Sequence, residues 1–317
     1  MTCQQDVRLQ LAVVILNYQT PDMVIDCIYS LEGQIVPDEQ KVIVVDNCSG
    51  DDSVDLVQRA INSHDWGAWV DVVRSPVNGG FAAGNNLGIR TVDAEVYLLL
   101  NSDTMVRKDA IATMCKSLAD QPNVHMLGPR LEWPDGEQQV SCFRNRTPIS
   151  EMLYASSLGL LWKRFPKHVV AIPTEDRTTR PDWISFACVL IRSEVFDRIG
   201  LLDDTYFMYF EDMDFCRRAR DAGFEIAFEE NARVVHLHGG SSSLVADSKK
   251  RKRRAKFYYN ARAHYFTKFY GKLGRVRANL LWELGWLIGL LRGKTGAVEK
   301  EYKDIWSSPI FNPGEKR

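Results

Sequence analysis

Hydrophobic and polar residues alternate in blocks over the first hundred positions. The run LAVVILNY (11–18) stays apolar until its last two residues, the pattern of a strand buried on both faces. Pro21 then opens a helix reaching about Gly33, proline being tolerated in a first turn. KVIVVDN (41–47) predicts a second strand, and GDDSVDLVQRAI (50–61) a helix whose early acids suit the positive end of its dipole. VDVVRS (70–75) and AEVYLLLNSD (94–103) add two strands with a helix between them. Such alternation predicts an α/β fold, a Rossmann-like, mostly parallel sheet flanked by helices.

In sheets of this kind, ligands bind beyond the carboxyl ends of the strands. Three of those ends are polar here: Asn17-Tyr18, Asp46-Asn47 and Asn101-Ser102-Asp103. A glycine-rich turn, NGGFAAGNNLG (78–88), follows the third strand. It is not the GxGxxG of dinucleotide-binding folds, and no GxxxxGK[ST] phosphate loop occurs. A single polar strand end is commonly a cap or a turn. Three at one edge of one sheet point to a nucleotide pocket.

Beyond residue 124 the periodicity weakens, with WPDGEQQ a turn and PTEDRTTRPD a polar loop. WISFACVLIRSEVFDRIG (183–200) predicts a strand and a short helix. GFEIAFEENARVVHLHGGSSS (223–243) predicts two strands ending at His236 and His238. Between them, YFMYFEDMDFC (206–216) sets Glu211, Asp212 and Asp214 among five aromatic rings. Burying a carboxylate is costly unless something pairs with it. These acids therefore ask for a chemical role, or for the N-terminus of a helix. On such a helix Asp214 is spaced to pair with Arg217 or Arg218.

Composition matters mainly through its distribution. The 317 residues are 45% hydrophobic and 26% charged, as in soluble globular proteins, and suit one large α/β domain plus an appendage, or two domains. Seven scattered cysteines form no CxxC pair, which argues against a zinc knuckle or disulfide framework and fits a reducing cytosol. The start, MTCQQDVRLQ, lacks the basic-then-apolar pattern of a signal peptide. The net charge of −1 hides an asymmetry: between Ser248 and Trp282 lie 12 Lys and Arg and no acid, leaving 28 bases against 41 acids elsewhere. This basic, aromatic-rich, helical arm (about 246–278) is either a solvated face or a contact for an anionic surface. NLLWELGWLIGLLRG (279–293) is apolar nearly all round and contains Glu283. As a helix it would span about 22 Å, short of a hydrocarbon core of about 30 Å. It predicts an interfacial helix, or one packed on the body or on another subunit.

Four segments in this order resemble the inverting glycosyltransferases of family 2, in their rhamnosyltransferase-like subgroup. They are VVDNCSGDDS (44–53), NGGFAAGNNLGI (78–89) with LLLNSDT (98–104), ACVLIRSEVFDRIGLLDDTYFMYFEDMDFCRRARDAG (187–223) and VVHLHGGSS (234–242). The resemblance covers about residues 10–245. It implies a GT-A fold with a nucleotide-binding half (about 1–105) and an acceptor-binding half (about 106–245), followed here by a helical extension (246–317). It also implies transfer of a sugar from a nucleotide-diphosphate donor to a saccharide or lipid-linked acceptor in cell-surface glycan synthesis. From the subgroup, dTDP-rhamnose is the first donor to consider, and Mg2+ or Mn2+ the cofactor.

By that resemblance Asp46 holds the base or ribose, beside Asn17 and Tyr18, with Asn47, Asn101 and Ser102 lining the nucleotide and Asp51 fixing its loop. Asn78, Gly80 and Asn85 offer amide groups and backbone N–H donors. Asp103 becomes a metal ligand, where its sequence position alone equally allows a helix N-cap. His236, with His238 as the alternate, completes that site or contacts the diphosphate. Asp212 is the base that takes the acceptor hydroxyl proton, and Glu211 binds the acceptor or orients Asp212. The surrounding rings limit water and can raise the pKa of that base. Trp183, Phe186 and Ala187 line the sugar and acceptor pocket, although Trp183 equally suits a core. Two departures stand out: Phe186 occupies a position where many relatives carry Gly, and Asn101 one where the wider fold often has Asp.

Two other classes compete. A sugar nucleotidyltransferase wants a glycine-rich loop with Arg and Lys near the first strand, which LNYQTPD lacks. A binding module for nucleic acid or anionic lipid explains residues 249–277 but leaves the acids of the body without a role. The sequence thus predicts a cytoplasmic transferase at the cytosolic membrane face. Its partners are the donor and the acceptor, with no nucleic acid. A membrane surface reached through 246–293 and a second copy of the chain are the further partners considered.

Overall fold

The computed structural model describes residues 8–176, 178–237, 254–292 and 304–306. The first half runs β1 (Leu9–Asn17), α1 (Pro21–Leu31), β2 (Gln40–Asp46), α2 (Ser53–Ser63), β3 (Val70–Arg74), α3 (Gly80–Thr91) and β4 (Ala94–Asn101). There follow β5 (Thr104–Val106), α4 (Ala110–Asp120), β6 (Val124–Glu132), β7 (Cys142–Phe143), α5 (Pro148–Ser156) and α6 (Gly159–Arg164). The remainder is β8 (Trp183–Ile184), β9 (Cys188–Arg192), α7 (Ser193–Ile199), α8 (Glu211–Asp221), β10 (Glu225–His236) and α9 (Lys256–Leu290).

Eight strands form one sheet in the order β3-β2-β1-β4-β9-β6-β10-β5. β3, β2, β1 and β4 are mutually parallel, as are β6 and β10, while β9 and β5 run antiparallel to their neighbours. β7 and β8 make a separate two-stranded sheet. The continuous apolar runs are explained by burial on both faces. Ala12, Val14, Ile43 and Val45 enter one core cluster, while Leu11, Val13, Val42 and Val44 enter the other. Alternate side chains on a strand point to opposite faces, so each run serves two cores. α3 lies unusually close to β1: a Cβ at Gly84 would stand 2.3 Å from a Leu16 methyl, and one at Gly88 would stand 2.4 Å from Val14.

Register brings the polar ends together. Asn17 pairs with Asp46 across β1 and β2, and Leu16 pairs with Asn101 across β1 and β4. The three ends therefore lie side by side at one edge, as the strand pattern predicts.

Two readings of the second half need correction. The stretch read as two strands is the single 12-residue β10, bent by a register shift between Glu229 and Arg233. The weakly periodic region from 124 holds a nine-residue strand, β6, and the helix α5. α5 starts at a capping box in which Thr147 and Ser150 bond reciprocally, a signal carried by two hydroxyl residues rather than by periodicity. From Lys256 onward the basic arm runs on into the apolar segment as α9, which is kinked at Gly271 where φ is +69°. Its first part joins the main core through Ala261, Tyr265 and Phe266.

Candidate active site

At the donor edge the polar side chains hold one another. Asn17 Nδ2 donates to Asp46 Oδ1 at 2.8 Å and to Ser49 Oγ at 3.1 Å. Ser49 Oγ donates to Asp46 Oδ1 at 2.5 Å, and its backbone N–H donates to Asp46 Oδ2 at 3.2 Å. Asn47 Nδ2 donates to Asn78 Oδ1 and to the Gly80 carbonyl, while Gly80 N–H donates to Asn78 Oδ1. Asp51 lies further out and accepts from Ser53 N–H; the Ser53 side chain first, and then this backbone bond, lower its pKa. Asn85 turns into α3, donating to the Phe81 carbonyl. Tyr18 is half-buried beside this network, and Ser102 is buried.

Asp103 is not a helix cap. Residues 104–106 form β5, and α4 begins only at Ala110, behind Asp109. Instead β5 pairs with the end of β10, which brings His236 Nε2 to 3.7 Å from Asp103 Oδ1. The Leu237 N–H donates to the Asp103 carbonyl, and Gln139 Nε2 donates to the His236 carbonyl, so both residues are held by backbone. His238 lies outside the described residues. A carboxylate beside an imidazole is a donor pair that Mg2+ or Mn2+ accepts when phosphate oxygens complete the shell. No cluster of three or more His, Cys, Asp or Glu suited to a metal occurs among the described residues. The Asp103–His236 pair offers two of the ligands that a divalent ion would need.

The loop before α8 is strained. Tyr209 and Phe210 both take left-handed φ values, +71° and +70°, a conformation that bulky residues adopt only when their surroundings impose it. The imposition is visible. The Phe81 N–H donates to the Phe207 carbonyl at 2.7 Å, and a Cβ on Gly80 would stand 2.0 Å from that same oxygen. Only glycine allows this approach, and its φ of +83° requires glycine as well. The donor turn and the loop carrying the acids are thus in direct contact. Asn86 adds a second clamp, exchanging two hydrogen bonds with the Leu202 backbone.

The three acids then occupy the first turn of α8 and divide their roles. Asp214 is fully buried and neutralised: it accepts from Tyr206 Oη at 3.1 Å, Arg218 Nε at 2.6 Å and Lys268 Nζ at 2.6 Å. Of the two expected arginine partners Arg218 is the one used; Arg217 stacks over Phe269 instead. Burial raises the Asp212 carboxyl to about 6, against hydrogen bonds from backbone N–H groups. Burial, and then the Asp212 charge, raise the Glu211 carboxyl well above its ordinary value too. Its Oε2 is buried without a hydrogen-bond partner among the described residues.

A second set of residues escaped the sequence reading. Arg146 packs over the Phe210 ring at 5.4 Å and pairs with Glu151 Oε1 at 2.9 Å. Glu151 Oε2 takes Arg262 Nε of α9 at 2.6 Å. Burial alone would raise the Glu151 carboxyl, but Arg262 and Arg146 outweigh it and hold it below its ordinary value. Lys268 and His264 of α9 reach Asp203 at 2.7 and 3.1 Å. Arg262 and Lys268 belong to the basic arm, so part of its charge is spent inside the molecule. The available signal was their setting: bases amid YYNARAHYFTKFY must find acids if that face is buried.

Trp183, Phe186 and Ala187 are all buried. Trp183 stacks on Phe143 with ring centroids 4.0 Å apart, and Phe186 meets Phe215 of α8 edge-on. The Ala187 carbonyl, just before β9, accepts from Asn101 N–H at the end of β4. A cavity of about 650 Å³ lined by Gln121, Asn123, Gln139, Thr174, Thr179 and Arg180 includes none of the candidate acids.

Comparison with known proteins bears on the family and the fold. Over 242 residues the chain is 29% identical to the low-salt glycan biosynthesis hexosyltransferase Agl10 of Haloferax volcanii, covering 74% of this chain and 70% of that protein. It is 30% identical to the N-acetylglucosaminyl-diphospho-decaprenol L-rhamnosyltransferase of Mycobacterium tuberculosis over 142 residues, 44% of this chain and less than half (46%) of that relative. Among solved structures, the mannosyltransferase PcManGT of Pyrobaculum calidifontis, in complex with GDP-Man and Mn2+, superposes with a TM-score of 0.57 at 14% identity. That likeness covers 93% of this chain and 79% of the other, and shows a shared GT-A fold. The sequence pattern of glycosyltransferase-like family 2 matches residues 9–256, and on that match the chain belongs to this family.

Proposed function

We propose that the protein moves a sugar, with inversion, from a nucleotide-diphosphate donor to a saccharide or lipid-linked saccharide acceptor in cell-surface glycan synthesis, at the cytosolic membrane face. The observation that carries this reading is the meeting of Asp103 with His236 on one sheet whose donor turn touches the loop leading to Asp212. Rhamnose from dTDP-rhamnose is the first donor to test, supported by the name of the mycobacterial relative, which also supports a lipid-diphosphate acceptor.

The residues divide the work as follows. Asp46, oriented by Asn17 and Ser49, accepts hydrogen bonds from the base or ribose. Tyr18, Asn47, Asn101 and Ser102 line the nucleotide, and Asn78, Gly80 and Asn85 shape the turn beside the diphosphate. Phe186, Trp183 and Ala187 shape the sugar pocket from behind. Asp103 and His236 would hold a divalent ion, which supplies positive charge to the leaving diphosphate; the Mn2+ in the PcManGT complex supports this choice.

Asp212 takes the proton of the acceptor hydroxyl as that oxygen attacks the anomeric carbon from the side opposite the diphosphate. The new C–O bond forms as the bond to the diphosphate oxygen breaks, so configuration inverts. A carboxyl raised to about 6 is still ionised at neutral pH and is a stronger base than an ordinary aspartate. Glu211 adjoins it in the first turn of α8, where it would bind the acceptor or orient Asp212.

The test is a thermal-shift screen of nucleotide sugars with Mn2+, since bound ligand raises the melting temperature, followed by NMR of the product. Stabilisation by a nucleotide sugar and an inverted anomeric centre are expected. A product that keeps the donor configuration, or full activity after chelation, would overturn the inverting or the metal-dependent part respectively.

A further inference from the structure

Beyond Gly271, α9 is apolar on two opposite sides. Ala278, Trp282, Gly285 and Gly289 are buried, and a Cβ on Gly285 would stand 2.3 Å from the Met152 carbonyl of α5. That side is the packed one. The other side carries Leu273, Val276, Leu280, Leu284, Leu287 and Leu291, from 39% to 87% exposed. Their spacing of three and four places them in one row along the helix. Scattered exposed leucines need no explanation, but a row of this length marks a contact surface. The row runs about 27 Å at the helical rise. No described helix is long and apolar enough to cross a membrane.

Charge indicates the partner. Lys272, Arg277 and Arg292 are exposed on the same stretch, and six consecutive bases, 249–254, precede α9 in the sequence. Its one acid, Glu283, accepts a hydrogen bond from Trp306 Nε1 at 2.8 Å, and that indole is itself half-exposed. A second copy of the chain is a poor fit, because a two-fold contact through this row would set basic flank against basic flank. Anionic headgroups supply the opposite sign.

We propose that α9 lies flat on an anionic phospholipid bilayer, its leucine row in the acyl boundary and Lys272, Arg277 and Arg292 at the phosphate level. The first half of the same helix touches the catalytic loop, Tyr258 against the Phe210 ring at 5.5 Å and Lys268 on Asp214 at 2.6 Å. The inference rests on the lipid-linked acceptor proposed above and deepens it, naming the surface from which that acceptor is taken. The helix that closes the acceptor side is also the one that seats the enzyme on the membrane.

The experiment is flotation of the full-length protein with phosphatidylcholine vesicles, with and without phosphatidylglycerol. Wild type should float with the anionic vesicles, and less so at high salt. The triple variant Leu280→Gln, Leu284→Gln, Leu287→Gln, all at exposed positions, should keep its melting temperature and its hydrolysis of the donor by water. Its partitioning should fall at least about tenfold. Wild type that stays unbound, or a triple variant that floats equally well, overturns the proposal. A wild-type dimer that the variant converts to monomer, without vesicle binding, overturns it in favour of the second copy. Flotation without any donor hydrolysis would sink the enzymatic reading and leave the docking surface standing.

Discussion

The two sides of the candidate site are built on different principles. At the donor edge, Asn17, Asp46, Ser49, Asn47 and Asn78 satisfy one another through hydrogen bonds among strand ends and the loops that leave them. Parallel register sets the strand ends side by side, and the loops after β2 and β3 add Ser49 and Asn78. On the base side the groups are charged, and they come from α5, α8 and α9, as far apart as the 111 residues between Glu151 and Arg262. Two successive left-handed residues and two acids of raised pKa show what that assembly costs. The donor edge is a product of sheet geometry, whereas the base side is imposed by packing. It follows that substitutions at the donor edge should act on binding, while those on the base side should mix chemistry with stability.

The largest effect belongs to Asp212→Asn. Transfer should fall by about 10²–10⁴-fold, with donor affinity by calorimetry nearly unchanged. The same variant should be more thermostable at neutral pH. A carboxyl raised above its unfolded value binds its proton more tightly in the folded state, so its contribution is present at low pH and lost as pH rises from about 4 to about 6. Asn removes that cost. A destabilised variant would contradict the burial argument.

Next comes Glu151→Gln, which strands Arg146 and Arg262 without their counterion and should cost about 3–5 kcal/mol in a denaturant titration. In the wild type this lowered carboxyl contributes stability above the ordinary carboxylate range, and the contribution fades as pH falls through its folded value. A loss below about 0.5 kcal/mol, the range of a surface change, would mean that the three-residue network is not a structural unit.

Asp46→Ala should raise the donor Kd by about 10–100-fold, the worth of one or two charge-assisted hydrogen bonds, with kcat at saturating donor little changed. Equal losses in kcat and none in Kd would move Asp46 out of the donor site and blur the contrast drawn above.

The smallest effect sharpens the contrast most. Arg146→Met removes a positive charge that lowers the Asp212 carboxyl, so the acid limb of kcat/KM should move to higher pH, by less than about one unit. Arg146→Lys should restore most of it. An unmoved limb in the methionine variant would confine Arg146 to packing.

These contrasts also mark what could be read along the chain. Strand ends, the glycine turn and the Asp-Asn pairs depend on short-range pattern: an apolar run broken by polar residues predicts its own strand, and parallel pairing does the rest. The acids of 206–216 announced a cost that something must meet, though not what meets it. Thr147 and Ser150 were too ordinary to reveal α5, and so Glu151 and Arg146 went unread.

By itself, the sequence determined the α/β order, the polar edge, the family and the suspect acids, because each depends on residues a few positions apart. Only the tertiary structure decided that Asp103 meets His236 rather than capping a helix, that Asp214 is neutralised while Asp212 is not, and that part of the basic arm turns inward. Those outcomes depend on which charges become neighbours once solvent is removed. Electrostatic energies in a buried site are set by distances across the fold, to which spacing along the chain is blind.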